Sequence, residues 1–123
     1  MFKHFESMLS NAEREHDRLN QYTRLVKKAI EKNIAAEAPR VEDIAQELAL
    51  SVRGLQLKLK SEETTFQSIL KNVRKELSIV QLKNSELNIT DVAFLTGFSD
   101  ISVFSRNFKK WTGLTPSEFK TQH

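Results

Sequence analysis

One ten-residue pattern occurs twice in this chain, 48 positions apart, and this duplication limits the possible folds more than any other feature. The copies are EDIAQELALS at 42–51 and TDVAFLTGFS at 90–99. Further along, LQLKLK at 55–60 matches FSRNFK at 104–109 at a spacing of 49. The chain is therefore expected to contain two units of one design, with the equivalent pairs Asp43 and Asp91, Ile44 and Val92, Ala45 and Ala93, Leu50 and Phe98, and Ser51 and Ser99.

The sequence around these copies is typical of helices. Its 123 residues include only three Gly and two Pro, and Val and Ile do not alternate with polar residues over any run as long as a strand. Both facts predict an all-α fold. The length is enough for one compact domain with an apolar core.

Apolar residues at steps of three and four predict where the helices lie. The predicted helices are 11–34, 41–48, 52–61, 66–83, a short helix capped by Thr90, a helix capped by Ser99 or Asp100, and a last one that starts at Pro116. The inward stripe of the 66–83 helix is expected to include Val80. Helical spacing of the aromatic residues favours core packing over stacking on nucleic-acid bases, and they are Phe94, Phe98, Phe104, Phe108, Trp111 and Phe119.

Each copy of the repeated pattern meets the requirements of a helix-turn-helix. A small residue, Ala45 or Ala93, allows a second helix to cross closely, and the turn needs a small or left-handed residue, here Ala49 or Gly97. An apolar residue then fills the core, and Ser is a good cap for the second helix. In such units the second helix enters the major groove of DNA. The sequence thus predicts a reader of double-stranded DNA with two recognition helices.

The expected organisation has four parts. They are an N-terminal helical segment at 1–40, a first helix-turn-helix at 41–65, a connecting helix at 66–86, and a second helix-turn-helix with a C-terminal helix at 87–123.

From Val41 to Lys120 the chain resembles the DNA-binding domain of the AraC/XylS family of bacterial transcription regulators. NITDVAFLTGFSDISVFSRNFKKWTGLTPSEFK at 88–120 carries most of the likeness, and SVRGLQ at 51–56 also fits. The resemblance implies sequence-specific binding of promoter or operator DNA, commonly for activation, with RNA polymerase as a further partner. It also implies that residues 1–40 join this reader to a sensor domain outside this chain, through which any effector acts.

Outward positions on the two predicted recognition helices are the candidate DNA contacts, and the resemblance implies the same positions. Arg53 and Gln56 are suited to guanine and adenine, Arg106 to a base or phosphate, and an outward Val103 to a thymine methyl. Four residues are expected to anchor the backbone without reading sequence, and they are Ser51, Ser99, Lys109 and Lys110. The full set comprises Ser51, Arg53, Gln56, Leu57, Lys60, Ser99, Asp100, Ser102, Val103, Arg106, Lys109 and Lys110.

The sequence departs from the family pattern at two positions. Glu63 stands where the family usually has Gly at the end of the first recognition helix, and a lost left-handed cap costs about 1 kcal/mol. Leu57 stands where members commonly have Arg, so fewer base contacts are expected from the first unit. On the connecting helix, Arg74 and Glu76 are expected to form an interior polar clamp or a surface pair.

Charge and composition restrict the function classes. The net charge is +3, with 8 Lys/Arg against 9 Asp/Glu in residues 1–50 and 11 against 7 in 51–123. The chain has no Cys, no glycine-rich phosphate loop and no His near a catalytic partner, so an enzyme, a cofactor and a metal are not expected. The charged N-terminus and the lack of a long apolar run indicate a cytoplasmic protein without a membrane partner. A helical module that binds only other proteins is the alternative, but it leaves the duplication unexplained.

Overall fold

The computed structural model of the chain describes residues 20–35 and 37–123. Every regular element within these residues is a helix, which confirms the all-α class. The helices are α1 Gln21–Asn33, α2 Val41–Glu47, α3 Val52–Ser61, α4 Phe66–Leu82, α5 Ile89–Leu95, α6 Ile101–Thr112 and α7 Pro116–Gln122. The helix predicted over 11–34 is described only from Gln21, and the remainder of that prediction lies outside the described residues. No described helix is both long and apolar enough to cross a membrane.

The first unit consists of α1, α2, α3 and the N-terminal half of α4 around one apolar core. The apolar face of each helix is turned inward, as the helical spacing predicts. Half-buried residues, among them Leu50 and Val52, close the edges of this core. Its buried members are Val26, Ala29, Ile30, Ile44, Ala45, Leu55, Leu59, Phe66, Ile69, Leu70 and Val73.

The second unit consists of α5, α6, α7 and the C-terminal half of α4, and its core is rich in aromatic rings. The ring centroids of Phe98 and Phe104 lie 5.4 Å apart, and those of Phe108 and Phe119 lie 5.5 Å apart. The half-buried Trp111 ring packs at 6.0 Å from Phe98. These contacts confirm core packing for all the aromatic residues named above except Phe94.

Phe94 is 53 % exposed, so its assignment to the core was wrong. Helix α5 turns Val92 and Ala93 inward. At 100° per residue, Phe94 points about 200° away from Val92, which is the solvent side.

Helix α4 is shared by the two units, and its buried face changes along its length. The N-terminal half buries Ile69, Leu70 and Val73 in the first core, whereas the C-terminal half buries Ser78 and Leu82. The prediction that Val80 faces inward was wrong, since its side chain is 64 % exposed. Val80 lies two residues, or about 200°, from both Ser78 and Leu82, and therefore on the opposite side of the helix.

The structure also decides which residues cap the helices of the second unit. The Asn88 side chain accepts a hydrogen bond from the Asp91 amide at 2.8 Å, and the Asp91 carboxylate accepts one from the Asn88 amide at 3.1 Å. This reciprocal capping box starts α5 at Ile89, so the prediction that Thr90 caps the helix was wrong. Of the two candidates for α6, Asp100 is the cap. Pro116 starts α7, as predicted.

A glutamate from the end of α3 caps the N-terminus of α1. The Glu62 carboxylate accepts hydrogen bonds from the Tyr22 amide at 2.9 Å and from the Thr23 amide and hydroxyl at 2.8 and 2.7 Å. The first amides of a helix have no partner within it, and a negative charge there also interacts favourably with the helix dipole. Glu62 therefore fixes α1 against the first helix-turn-helix.

Arg74 joins the two units across the space between their cores. Its Nη2 donates a hydrogen bond to the Gly97 carbonyl at 2.7 Å, and its guanidinium lies 4.1 Å from the centre of the Phe98 ring. Burial lowers the pKa of this guanidinium. The expectation that Arg74 and Glu76 act together was wrong, because Arg74 makes an interior contact with Gly97 and Phe98 whereas Glu76 forms a surface ion pair with Lys27 at 3.4 Å.

Candidate nucleic-acid interface

The turns of the two units have the same hydrogen bonds. In the first, the Ala49 amide bonds to the Gln46 carbonyl at 3.0 Å and the Leu50 amide to the Ala45 carbonyl at 2.9 Å. In the second, the Gly97 amide bonds to the Phe94 carbonyl at 3.1 Å and the Phe98 amide to the Ala93 carbonyl at 2.9 Å. The duplicated pattern thus corresponds to a duplicated helix-turn-helix.

Both turns contain a left-handed residue, which the sequence predicts for Gly97, whereas at Ala49 it predicts only a small or left-handed residue. Ala49 has φ 58° and Gly97 has φ 86°. This conformation reverses the chain between the two helices of a unit, and it is unfavourable for residues with a Cβ. Ala45 and Ala93 are almost fully buried at the helix crossings, where larger side chains would hold the helices apart.

The second unit has one additional residue before its recognition helix. The caps are Ser51 for α3 and Asp100 for α6, a spacing of 49, whereas the turns are 48 apart. Ser51 Oγ accepts a hydrogen bond from the Gly54 amide at 2.9 Å, and the Asp100 carboxylate accepts one from the Ser102 amide at 2.7 Å. Ser99 is the additional residue and is exposed. This insertion explains the change of spacing from 48 to 49 in the sequence.

The predicted contact residues of the first recognition helix share one exposed face. Arg53, Gln56, Leu57 and Lys60 are all exposed on α3, while Leu55 and Leu59 anchor the opposite side in the core. Leu57 is the unusual member, because a large aliphatic side chain is left 54 % exposed there. The structure therefore brings these four predicted residues together.

The second recognition helix presents the equivalent face. At the spacing of 49, Ser102 corresponds to Arg53, Arg106 to Leu57 and Lys109 to Lys60. All the predicted residues of this unit except Val103 are exposed, namely Ser99, Asp100, Ser102, Arg106, Lys109 and Lys110.

Val103 does not face outward, so the thymine contact considered for an outward Val103 does not apply. It is half-buried and packs against the second core, and it corresponds to Gly54 of α3 rather than to a contact residue. Two residues absent from the predicted set lie at informative positions on α6. Ile101 is exposed in its first turn, and the half-buried Ser105 corresponds to Gln56. The spacing of 49 identifies Ser105 from the sequence, but the exposure of Ile101 is visible only in the structure.

Charge is segregated between the helices of each unit. The recognition helices contain no acidic residue, and each carries three cations, Arg53, Lys58 and Lys60 on α3 and Arg106, Lys109 and Lys110 on α6. None of these cations joins an ion pair within the described part of the chain. Acidic residues lie on the preceding helices, with Glu42, Asp43 and Glu47 on α2 and Asp91 on α5, and at the ends of the recognition helices, with Glu62 and Glu63 after α3 and Asp100 at the cap of α6. Five of these six cations are exposed, whereas the half-buried Lys58 lies over the Tyr22 ring of α1. The exposed faces of α3 and α6 therefore carry an excess of positive charge suited to a phosphate backbone.

The described residues contain no group of three or more His, Asp or Glu side chains arranged to hold a metal ion. The exposed side chains of α3 and α6 include Arg, Lys, Gln and Ser. Arg, Lys, Gln and Ser are the side chains that bond to phosphates and base edges.

Comparison with known proteins gives a consistent result. Residues 44–122 match a family model described as a helix-turn-helix domain. The chain is 43 % identical over 82 residues to the ornithine utilization regulator of Pseudomonas aeruginosa, covering 67 % of this chain and 24 % of that protein. It is 39 % identical over 98 residues to the virulence regulon transcriptional activator VirF of Shigella flexneri, covering 80 % and 37 %. The chain therefore spans well under half the length of these relatives.

Solved structures share the arrangement. A DNA-binding transcriptional dual regulator from Escherichia coli K-12 superposes with a TM-score of 0.77 at 29 % identity, over 82 % of this chain and 90 % of that one. The C-terminal domain of AraT, a response regulator from Geobacillus stearothermophilus, superposes with a TM-score of 0.76 at 27 % identity, over 86 % and 88 %. Sequence and structure agree, and the chain belongs to the AraC-type helix-turn-helix family of DNA-binding transcription regulators.

Proposed function

We propose that the chain reads an asymmetric operator by placing α3 and α6 in successive major grooves on one face of the duplex. The observation that carries this proposal is the repetition of one turn geometry, each copy followed by a helix whose exposed face has cations and no acids. Successive major grooves lie about 34 Å apart. The central helix α4 holds the two units in a fixed relation, which suits a site with two blocks.

The two recognition helices have different tasks in this proposal. On α3, Arg53 and Gln56 reach base edges, with Leu57 as an apolar contact. On α6, Arg106 and Ser102 read bases, and Ile101 takes the methyl contact that the half-buried Val103 is not exposed enough to make. Arginine bonds best to guanine, and aliphatic side chains pack on the thymine methyl.

Phosphate contacts are assigned to the remaining exposed residues. Ser51 and Ser99 lie at the N-terminal ends of the recognition helices, and Lys60, Lys109 and Lys110 lie near the C-terminal ends. Contacts of this kind set orientation and register without reading sequence. Asp100 is committed to the cap of α6 through its bond to the Ser102 amide, so its role at the interface is to fix the start of the helix.

The relatives support two further parts of the proposal, which are activation and a connection to a sensor domain. One of them carries the name of a transcriptional activator, and we extend activation, with RNA polymerase as a partner, to this chain. The chain spans a fraction of the relatives' length, and we assign residues 1–40 to the connection with a sensor domain that receives the effector.

Selection of bound duplexes from a random pool, at two salt concentrations, tests the proposal. The expected result is one motif with two blocks about one helical turn, or 10.5 base pairs, apart. Arg106→Ala is expected to weaken binding and relax the sequence preference in one block, and Arg53→Ala in the other. Lys28→Ala, which removes a positive charge from the exposed surface of α1, serves as the matched control and leaves the motif unchanged.

Other outcomes contradict the proposal in distinct ways. A motif with a single block would mean that one unit alone reads DNA. Binding that disappears with salt and selects no motif would limit the chain to contacts with the phosphate backbone. No binding at low salt would favour a module that binds other proteins, with the exposed Phe94 and Leu95 as the first residues to test.

A further inference from the structure

The turn of the second unit is enclosed by the first unit and α4, whereas the turn of the first unit is open to solvent. A Cβ built on Gly97 would lie 3.1 Å from the side chain of Ile34 and 3.2 to 3.3 Å from the backbone of Ala38. Both residues belong to the loop between α1 and α2. The equivalent Ala49 adopts the same left-handed conformation and is exposed. Since Ala49 tolerates that conformation, the close approach of the loop is an additional reason for glycine at position 97.

Arg74 holds the other side of the same turn. Its Nη2 donates a hydrogen bond to the Gly97 carbonyl at 2.7 Å, and its guanidinium carbon lies over the Phe98 ring, 4.1 Å from the ring centre. The hydrogen bond restricts the distance between α4 and the turn, and the contact with the Phe98 ring restricts the tilt of the turn relative to α4. A planar guanidinium is suited to fixing both at once, which an aliphatic side chain or a lysine is not.

Burying the Arg74 guanidinium has a high cost in free energy for a contact whose only role is to stabilise the fold. Arg74 Nε is buried and has no hydrogen-bond partner among the described residues. Removing a charge from water costs free energy, and an apolar side chain of similar volume often gives equal or greater stability. This points to a role in geometry rather than in stability alone.

The position of the turn is transmitted directly to α6. The helix begins at Ile101, four residues after Gly97, and Phe98 between them is packed against Phe104 of α6. The two hydrophobic cores share no buried residue, so the orientation of the units depends on α4, on the contacts of Arg74 and on the packing of Gly97 against Ile34 and Ala38. One base pair along the duplex is about 3.4 Å, so a small rotation at the junction changes which base α6 faces.

We propose that Arg74 is a positioning residue that fixes the offset between α3 and α6 and thereby determines which spacing of the two operator blocks the chain accepts. This inference rests on the proposed function. Arg74 touches no DNA in this arrangement. It acts through Gly97 and Phe98, and its removal leaves the reading of each separate block intact.

The test uses the two selected blocks in a series of duplexes with one or two base pairs added or removed between them. The wild-type chain is expected to show a sharp affinity optimum at one spacing. Arg74→Met has a similar length but no hydrogen bond, and we expect about tenfold weaker binding at the optimum, as for loss of a hydrogen bond to a charged group. Its penalty for one added base pair is expected to shrink, while binding to single-block duplexes stays the same.

Three further measurements keep this test decisive. Lys71→Met, which removes a charge from an exposed position of α4, is expected to preserve the spacing profile. Arg74→Lys retains the donor and the charge without the planar stack, and it is expected to recover part of the selectivity and to remain folded. Residual dipolar couplings of the free chain are expected to give one alignment tensor for both units in the wild type and different tensors in Arg74→Met.

Two results would overturn the inference. If Arg74→Met weakens binding equally at all spacings and both units still share one alignment tensor, then Arg74 is only a stabilising contact. Equal loss of binding to single-block duplexes would assign Arg74 to the fold of the second unit. A wild-type chain that selects no two-block site would contradict the proposed function instead, and the dipolar couplings would still report on the junction.

Discussion

At the start of α6 one isoleucine is left 42 % exposed, although the other large apolar side chains of this helix are buried or half-buried. Ile101 occupies the first position of the helix, where recognition helices contact base edges. A large aliphatic group exposed there has a natural partner in the thymine methyl. In the proposed complex we therefore expect Ile101 to select thymine at one position of the operator.

Replacing thymine by deoxyuridine at each position of the α6 block removes only the methyl group. At one position we expect about fourfold weaker binding by the wild type, since a buried CH₂-sized group contributes about 0.8 kcal/mol. Ile101→Ala is expected to bind the thymine and uracil duplexes equally. Val80→Ala, an exposed aliphatic change on α4, is expected to keep the preference. A methyl effect that persists in Ile101→Ala would assign the contact to another residue.

Glu63 is a second residue whose environment predicts a measurable effect. It adopts φ 61° after α3, the left-handed conformation that the family usually assigns to Gly at this place. Glu63→Gly is expected to raise the free energy of unfolding by about 1 kcal/mol because the steric cost of the Cβ disappears. Urea denaturation measures this change. Glu63→Ala retains the Cβ and is expected to give no gain, so an equal gain in both variants would point to charge instead.

At the scale of elements, side chains cap the N-termini of several helices in this chain. The cap of α1 comes from a distant part of the sequence. Asn20 precedes α1 but forms no side-chain cap, and Glu62 at the end of α3 bonds to the Tyr22 and Thr23 amides. This contact fixes α1 to the recognition helix α3.

Glu62→Ala is expected to lower the free energy of unfolding by about 1 to 2 kcal/mol, the usual value of a lost cap with its charge–dipole interaction. Hydrogen exchange at the Tyr22 and Thr23 amides is expected to accelerate more than exchange within α5. Glu63→Ala is the matched control, because it removes a neighbouring carboxylate that has no such bond. Uniform acceleration in all helices would show that the loss is global rather than local to α1.

For the whole molecule, two small cores are connected by α4, by the contacts of Arg74 with Gly97 and Phe98, and by the close approach of Ile34 and Ala38 to Gly97. The first core is mostly aliphatic and the second mostly aromatic, so each unit packs by its own side chains. In the proposed complex, the cations on the acid-free helices α3 and α6 face the phosphate backbone. Affinity at the scale of the molecule is therefore expected to depend strongly on salt.

The slope of log K against log salt measures the number of phosphate contacts, with about 0.9 per phosphate. Lys109→Gln and Lys110→Gln are each expected to reduce this slope by about one and to leave the selected motif unchanged. Lys28→Gln removes the same charge from α1 and serves as the control, which is expected to preserve the slope. A change of motif in either α6 variant would show that the lysine reads bases.

Local features of the sequence were sufficient for most of the fold. Helical spacing, the small or left-handed residues at 49 and 97, and Pro116 act within a few residues along the chain. They predicted the duplicated units, the start of α7 and the limits of α3. The predicted contact residues other than Val103 are exposed for the same reason, since a helix with one buried face leaves its other face outward. Their roles at DNA remain a prediction.

Only the tertiary structure decided the features that depend on contacts between distant residues. The exposure of Phe94 and Val80 depends on which side of each helix packs against a neighbour. The packing of α6 on its core likewise decides that Ile101 is exposed and Val103 is half-buried. Glu62 meets α1 across about 40 positions, and Arg74 meets Gly97 across 23. Residue type and spacing describe one helix at a time, so contacts between helices become visible only when the helices are packed.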